Sequence, residues 1–329
     1  MGQTKGKMIR VLITGATGFA GTHLVQALRE ERKSSFDIFG TCFPDRPCES
    51  EKQFYFLDIR SRQDVKNAVS DVKPDWVFHL AAVSNVRYSW ENRTETLEIN
   101  VAGTHNLLEA VKSFSPRARI LFVSSSEVYR FDKKRGRAAT AATEKTPLDI
   151  LSPYAYSKVA GEMMCKFYAQ AEKLDIVVAR PFPHTGPGQS EQFVCSDWAK
   201  QIAEIESGKK PPVIQVGNLD VVSNYCDVRD VVRAYILLLK KGKRGEVYNI
   251  CSGKAVSLRK ILDILVKEAK LREVVAIEKD PAKLKKFDMS VRSGKNNKIR
   301  NEVGWKPEIP IEQTLRDLLE FWRRRCGQS

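Results

Sequence analysis

Histidine and cysteine are sparse in this chain, and neither is grouped. The four histidines, at positions 23, 79, 105 and 184, show no metal-ligand spacing, so a resident metal centre is not expected. The seven cysteines, at 42, 48, 165, 195, 226, 251 and 326, form no CxxC pair. An odd, dispersed set in a chain of 329 residues reads as reduced thiols in a cytoplasmic protein, not as a disulfide framework. Long hydrophobic runs are missing as well: no apolar stretch approaches the roughly 20 residues that cross a bilayer. The opening MGQTKGKMIRVLITG runs straight into a predicted strand, without the apolar core and small-residue cleavage site of a signal peptide. Gly6 stands where a myristoylation signal after Gly2 wants Ser or Thr. There is no internal repeat and no low-complexity segment.

Acidic residues are the minority charge. Lys and Arg number 55 against 40 Asp and Glu, a formal net charge of +15. The basic clusters are RFDKKRGR (130–137), KLKK (283–286) and RRR (323–325). Such charge attracts anions, whether nucleic acid, an anionic surface or a phosphate-bearing substrate. No RNA-binding motif or aromatic-and-basic platform accompanies it. Solvated faces and a phosphorylated small molecule are therefore expected, with neither nucleic acid nor membrane as partner. At 42% hydrophobic residues the chain can bury a sizeable core, and its length fits one large α/β domain or two modest ones.

Short apolar runs alternate with helical patterns through the first half. Strands are predicted over 9–14, 36–43, 54–57, 76–80, 119–126 and 175–180; helices over 19–31, 62–71, 94–113 and from Ser152 onward. That alternation predicts an α/β fold with a doubly wound parallel sheet covered on both faces. After Pro181 the rhythm breaks at PFPHTGPGQ. Helices over 192–207, 230–240, 257–270 and 311–325 follow, with strands over 212–216 and 246–250. The expected division is a sheet domain from 8–180 plus about 222–250, and a smaller α/β C-terminal domain from 181–221 plus 251–329.

Directly after the first strand, TGATGFAG places Gly15, Gly18 and Gly21 in a tight turn that also holds Phe19 and Ala20. A glycine turn lets backbone approach a pyrophosphate, and the helix behind it offers free N–H groups and a positive dipole end. Strand, glycine turn and helix together are the context of a dinucleotide site. No carboxylate closes the second strand, which ends TCFPDRP; Asp45 and Arg46 lie just beyond. Arg46 suits a 2′-phosphate and favours NADP, with NAD the alternative. Asp58, followed by Ile59, is placed for the adenine edge, although a helix N-cap uses the same residue type. In HLAA (79–82), Leu80, Ala81 and Ala82 leave room for a cofactor on the backbone, and His79 reads as a packed strand residue.

A tyrosine and a lysine then stand four positions apart, Tyr154 and Lys158, in SPYAYSKVAGE (152–162). Ser152 suits an N-cap and Pro153 the first helical position, so the pair lies one turn apart on one helix face. The Lys158 ammonium is expected to lower the phenol pKa from its usual value near ~10. A tyrosine so tuned exchanges a proton with a hydroxyl or carbonyl near neutral pH. An ordinary surface pair has the same spacing. Tyr156, two positions along, faces elsewhere.

Glycine turn, HLAA, SSSEVY and Tyr-x-x-x-Lys occur in that order, each at the C-terminal end of a predicted strand or on the next helix. Ligands of open α/β sheets bind at that edge. Together these motifs resemble the extended short-chain dehydrogenase/reductase family, which acts mostly on nucleotide sugars. The resemblance implies that Ser125 polarises the substrate oxygen and Tyr154 is the acid/base. It implies that Lys158 holds the nicotinamide ribose, and that Pro181 borders the cofactor. Ser124 and Ser126 can simply cap the strand end, and Asn100 resembles a family asparagine that ties its helix to the sheet. GPGQSEQFV (186–194), VGNLD (216–220), CDVRDVVRAY (226–235) and VGWKP (303–307) resemble the branch that handles GDP-mannose derivatives.

By that resemblance, Ser84, Arg87 and Ser126 line the sugar pocket from the first half. His184, Phe193, Val194, Lys200, Gln215 and Asn218 contact the sugar nucleotide from the second. Two departures fall on the substrate side. Pro183 replaces an asparagine in Arg180-Pro181-Phe182-Pro183-His184, and Ser223-Asn224 replace an arginine–aspartate pair. Losing a charge-assisted hydrogen bond costs roughly 1.5–3 kcal/mol of binding unless another cation, such as Lys285 or Lys286, replaces it.

The activity implied is NAD(P)H-dependent reduction of the 4-keto group of a GDP-6-deoxyhexulose. The alternatives are a GDP-mannose 4,6-dehydratase or another nucleotide-sugar dehydratase or epimerase, for which Glu127 supplies the carboxylate that elimination needs. A non-catalytic NADP-binding protein is the reading from a different class. Dimerisation through the helices at 94–113 and 153–173 is implied by the resemblance.

Overall fold

The computed structural model describes residues 8–31, 35–43, 53–131, 141–271, 274–283 and 291–327. The first half runs β1 (Ile9–Thr14), α1 (Phe19–Glu30), β2 (Phe36–Cys42), β3 (Phe54–Phe56), α2 (Arg62–Val72) and β4 (Trp76–His79). Next come α3 (Val86–Glu91), α4 (Arg93–Leu97), a π-helical turn (Glu98–Ala102), α5 (Gly103–Phe114) and β5 (Arg119–Val123). A 3₁₀ turn (Ser126–Val128) leads to α6 (Pro153–Gln170) and β6 (Asp175–Pro181). Beyond it lie β7 (His184–Thr185), α7 (Val194–Glu206), β8 (Val213–Val216), β9 (Val222–Ser223), β10 (Cys226–Asp227), α8 (Val228–Lys241) and β11 (Val247–Ile250). The chain closes with β12 (Val256–Ser257), α9 (Leu258–Glu268), β13 (Ala276–Lys279), β14 (Val291–Arg292), α10 (Asn297–Val303) and α11 (Ile311–Arg325).

Seven parallel strands form the central sheet in the order β11-β6-β5-β4-β1-β2-β3. Alternate residues of β1 serve opposite faces, as the two-residue period of a strand requires. Val11 and Ile13 join the core under α1 and α8, while Leu12 joins the core under α2, α5 and α6. A third core gathers Trp198 and Ile202 of α7, Ile261 and Leu265 of α9, and Leu318 and Trp322 of α11. The strand order reverses between β1 and β4, and at that switch point a doubly wound sheet opens a crevice.

The doubly wound reading therefore holds, with differences in detail, among them the unpredicted α10 and the short strands β7, β9, β10, β12, β13 and β14. The helix expected over 94–113 is interrupted by the π turn, which turns Asn100 inward. Gly103 then packs on Ile59, where an added Cβ would lie 2.6 Å from the Ile59 side chain. The helix α3 was not expected; the Asn85 side chain caps it by accepting from the Tyr88 amide at 3.1 Å. Cys165, Cys195, Cys226, Cys251 and Cys326 are free.

Candidate active site

The glycine turn sits at the switch point. Gly15 has a φ of +72°, and a Cβ there would lie 2.9 Å from the Ala81 amide nitrogen. A Cβ on Gly21 would lie 2.2 Å from the Gly15 carbonyl oxygen. The turn is thus pressed against both the end of β4 and its own helix. No side chain caps α1, which suits its first amides to an anion. Phe19 and Ala20 open that helix, and Leu80, Ala81 and Ala82 lie across from them, partly buried. Thr14 Oγ1 accepts from the Ala81 amide at 3.1 Å and bonds His79 Nδ1 at 2.8 Å. His79 Nε2 bonds Thr104 Oγ1 at 2.9 Å. Burial pushes this imidazole down to about 3, so His79 is neutral packing, as its strand position implied.

Asp58 accepts from the Arg60 amide and guanidinium at 2.9–3.0 Å, and that partner holds its carboxyl below the usual range. It is not the cap of α2; Ser61 is. Ile59 is buried beneath Gly103, and Pro181 is buried at the end of β6. Asp45, Arg46, Lys285 and Lys286 lie outside the described residues.

Ser125 stands just past β5, and its Oγ accepts from the Glu127 amide at 3.1 Å. Tyr154 stands in the first turn of α6, where Ser152 Oγ accepts from the Ala155 amide at 3.0 Å and Pro153 occupies the first turn. One turn on, Lys158 Nζ donates to the Val123 carbonyl at 2.9 Å and lies 5.9 Å from the Tyr154 ring centroid. All three side chains are buried. Burial pushes the phenol up to about 12, opposed by the Ser125 hydrogen bond and reinforced by the Glu127 charge. Burial pushes the Lys158 ammonium down to about 8. The expectation that Lys158 lowers the phenol pKa is therefore corrected. Its ammonium is turned to a backbone carbonyl, desolvation dominates, and Tyr154 keeps its proton at neutral pH.

Two networks fix this set. Asn100 Nδ2 donates to the Val83 carbonyl at 3.0 Å and to Ser157 Oγ at 2.8 Å, while its Oδ1 accepts from the Val83 amide at 2.8 Å. It ties the loop after β4 to the first turn of α6. Behind Ser125, Ser124 Oγ donates to Glu162 Oε1 at 2.5 Å instead of capping the strand. Arg180 grips both Glu162 oxygens at 2.8 and 2.5 Å and donates to the Tyr129 hydroxyl at 3.0 Å. Tyr129 in turn donates to Asn249 Oδ1 at 2.6 Å. Ser126 is buried at the start of the 3₁₀ turn.

The remaining predicted residues each have partners of their own. Ser84 and Arg87 are exposed, and Arg87 reaches the Ala282 carbonyl at 3.2 Å. His184 stacks on Phe19, ring centroids 6.0 Å apart, and so lies against the glycine-turn helix. The Pro183 carbonyl accepts from the Cys226 amide at 3.0 Å. Phe193 and Val194 open α7. Lys200 pairs with Glu191 at 3.1 Å and lies over the Trp322 ring. Gln215 Nε2 donates to Glu278 at 3.0 Å, and Asn218 Oδ1 accepts from the Asp220 amide at 3.0 Å. Ser223 is buried, and its hydroxyl donates to the Arg292 carbonyl at 2.9 Å. Among the described residues no group of His, Cys, Asp and Glu could hold a metal ion.

Comparison with known proteins places this geometry. The family model described as GDP-mannose 4,6 dehydratase matches residues 12–318. The chain belongs to that family. GDP-6-deoxy-D-mannose reductase of Pseudomonas aeruginosa is 33% identical, with 97% of this chain and 99% of that one covered. Human dTDP-D-glucose 4,6-dehydratase is 30% identical, with 95% and 90% covered. Among solved structures, RMD from Pseudomonas aeruginosa complexed with NADPH superposes with a TM-score of 0.83 at 32% identity, covering 97% of this chain and all of that one (100%). Thermus thermophilus UDP-glucose 4-epimerase in complex with NAD does so with a TM-score of 0.82 at 26% identity, covering 96% and 99%.

One contact of Glu127 escaped the sequence reading. Arg292, on β14, forms an ion pair with Glu127. Its segment, DMSVRSGK (288–295), carried no periodicity and no motif. The only signal was a single arginine between a basic run and VGWKP.

Proposed function

We propose that this chain is an NADPH-dependent reductase of a GDP-linked 4-keto-6-deoxyhexose. The observation that carries the reading is the buried set Ser125, Tyr154 and Lys158 beside the glycine turn at the sheet's switch point, a placement that suits proton delivery to a carbonyl oxygen. The similarity to GDP-6-deoxy-D-mannose reductase, and to a structure of RMD complexed with NADPH, supports both the substrate class and NADP over NAD.

In this reading NADPH, when bound, supplies a hydride to C4. Gly15, Gly18 and Gly21 admit its pyrophosphate to the backbone. Lys158 holds the nicotinamide ribose, Ser125 donates to O4 as negative charge develops there, and Tyr154 delivers its phenolic proton to that oxygen. Residues 8–180 plus about 222–250 form the cofactor domain. Residues 181–221 plus 251–329, built on the third core, bind the sugar nucleotide.

A homodimer through α5 and α6 is supported by exposed Tyr156, Met163 and Phe167, which follow one face of α6. Among the described residues no helix is long and apolar enough to cross a membrane, and a cytoplasmic location fits the sugar-nucleotide substrate. The test is stoichiometry on GDP-4-keto-6-deoxy-D-mannose. One NADPH oxidised per ketosugar supports the reading; no NADPH oxidation on the ketosugar, with GDP-D-mannose converted without net oxidation, assigns a dehydratase instead.

A further inference from the structure

Glu127 stands two residues beyond Ser125, and its charge reaches the Tyr154 phenol, which it makes harder to ionise. Beside a bound 4-ketosugar such a carboxylate is a hazard. The C5–H bond adjoins the ketone and is acidic, so a free carboxylate within reach acts as a base on it. Glu127 is not free. The Arg292 guanidinium pairs with it, and the two side chains are only 22% and 12% exposed.

Arg292 is itself held from behind. It pairs in register with Ser223 in the three-stranded sheet β12-β9-β14. Ser223 Oγ donates to the Arg292 carbonyl at 2.9 Å, and Asn224 Oδ1 accepts from the Gly294 amide at 2.6 Å. The Ser223-Asn224 pair, where the chain departs from its family's pattern, thus seats β14 and with it the arginine. A charge-assisted pair this shielded from water holds its partner far better than an exposed one.

We propose that Arg292 is a positioning residue that holds Glu127 away from proton abstraction at C5, so that the site reduces the ketone without enolising the sugar. The inference rests on the ketoreductase reading above. Without the arginine, the Glu127 carboxylate takes the C5 proton. The C5–H electron pair becomes the C4=C5 double bond, and the carbonyl π pair moves to O4, facing the Ser125 and Tyr154 hydroxyls. Return of a solvent deuteron to C5 restores the ketone, now labelled.

The experiment holds each enzyme with GDP-4-keto-6-deoxy-D-mannose and NADP in D₂O, then traps the sugar by reduction and reads C5 by proton NMR. Arg292→Gln is expected to exchange C5 about 10²-fold faster than wild type. Arg292→Lys, which keeps the charge, is expected to remain near wild type, and Arg292→Gln with Glu127→Gln to lose the exchange. Arg292→Met is read in the same way should the glutamine variant fail to fold, with NADPH binding as the check on folding. NADPH oxidation by wild type on the same ketosugar is measured first. Its absence overturns the reductase reading; reduction by wild type with no C5 exchange in the folded variants overturns the role of Arg292 alone. Exchange by the double variant as fast as by Arg292→Gln also overturns it.

Discussion

At the scale of single residues the chemistry rests on Tyr154 and on what surrounds it. The spacing of Tyr154 and Lys158 was visible in the sequence, and so was the helix start that Ser152 and Pro153 give them. The sign of the phenol's pKa shift was not, because it depends on burial and on where the ammonium points. Tyr154→Phe removes the transferable proton and little else. It is expected to lower kcat by roughly 10²–10⁴-fold while NADPH still binds, measured by turnover and cofactor fluorescence; a fully active variant contradicts the mechanism. Lys158 gives a pH signature. Its pKa near 8 in the fold, against 10.5 for the free side chain, predicts activity falling above about pH 8 as the ammonium is lost. Because the folded value lies below the unfolded one, burial of the charge costs stability below pH 8. That cost is relieved as pH rises toward 10.5. Lys158→Met is therefore expected to raise stability by about 1–3 kcal/mol while reducing activity, read by denaturation alongside turnover.

At the scale of elements, the strands and long helices of the first half were legible because period and punctuation agreed. The glycine turn, HLAA and SSSEVY all fell at strand ends, where the sheet now places them. Elements held by partners distant in sequence were not legible. Asn100 turns inward through a π turn because Val83 and Ser157 receive its side chain, and a smooth helical period conceals such a turn. The two residues of β14 exist as a strand only against β9, so Arg292 carried no local signal. The Glu162–Arg180 pair, both partners about 5% exposed, anchors β5, α6 and β6 beneath the catalytic set. Glu162→Ala leaves the Arg180 charge buried without its main partner and is expected to cost about 3–5 kcal/mol in urea denaturation. A loss under about 1 kcal/mol would show that water replaces the carboxylate.

At the scale of the whole molecule, the glycine turn, HLAA, Ser125 and Tyr154 gather at the C-terminal edge of one parallel sheet, and a third core is built from α7, α9 and α11. The high positive charge suits a doubly charged diphosphate and a phosphorylated cofactor, the expectation composition alone supported. The exposed face of α6 makes an assembly prediction: Phe167→Glu, on a residue 57% exposed, is expected to convert a dimer to a monomer in sedimentation equilibrium. An unchanged oligomeric mass would place the interface elsewhere. The most direct measurement follows the hydride itself. With cofactor deuterated at the transferable position of its reduced nicotinamide and GDP-4-keto-6-deoxy-D-mannose, the account predicts one deuterium at C4 of the sugar and one oxidised cofactor per product. Product without deuterium at C4, or with the label at C6, would contradict it.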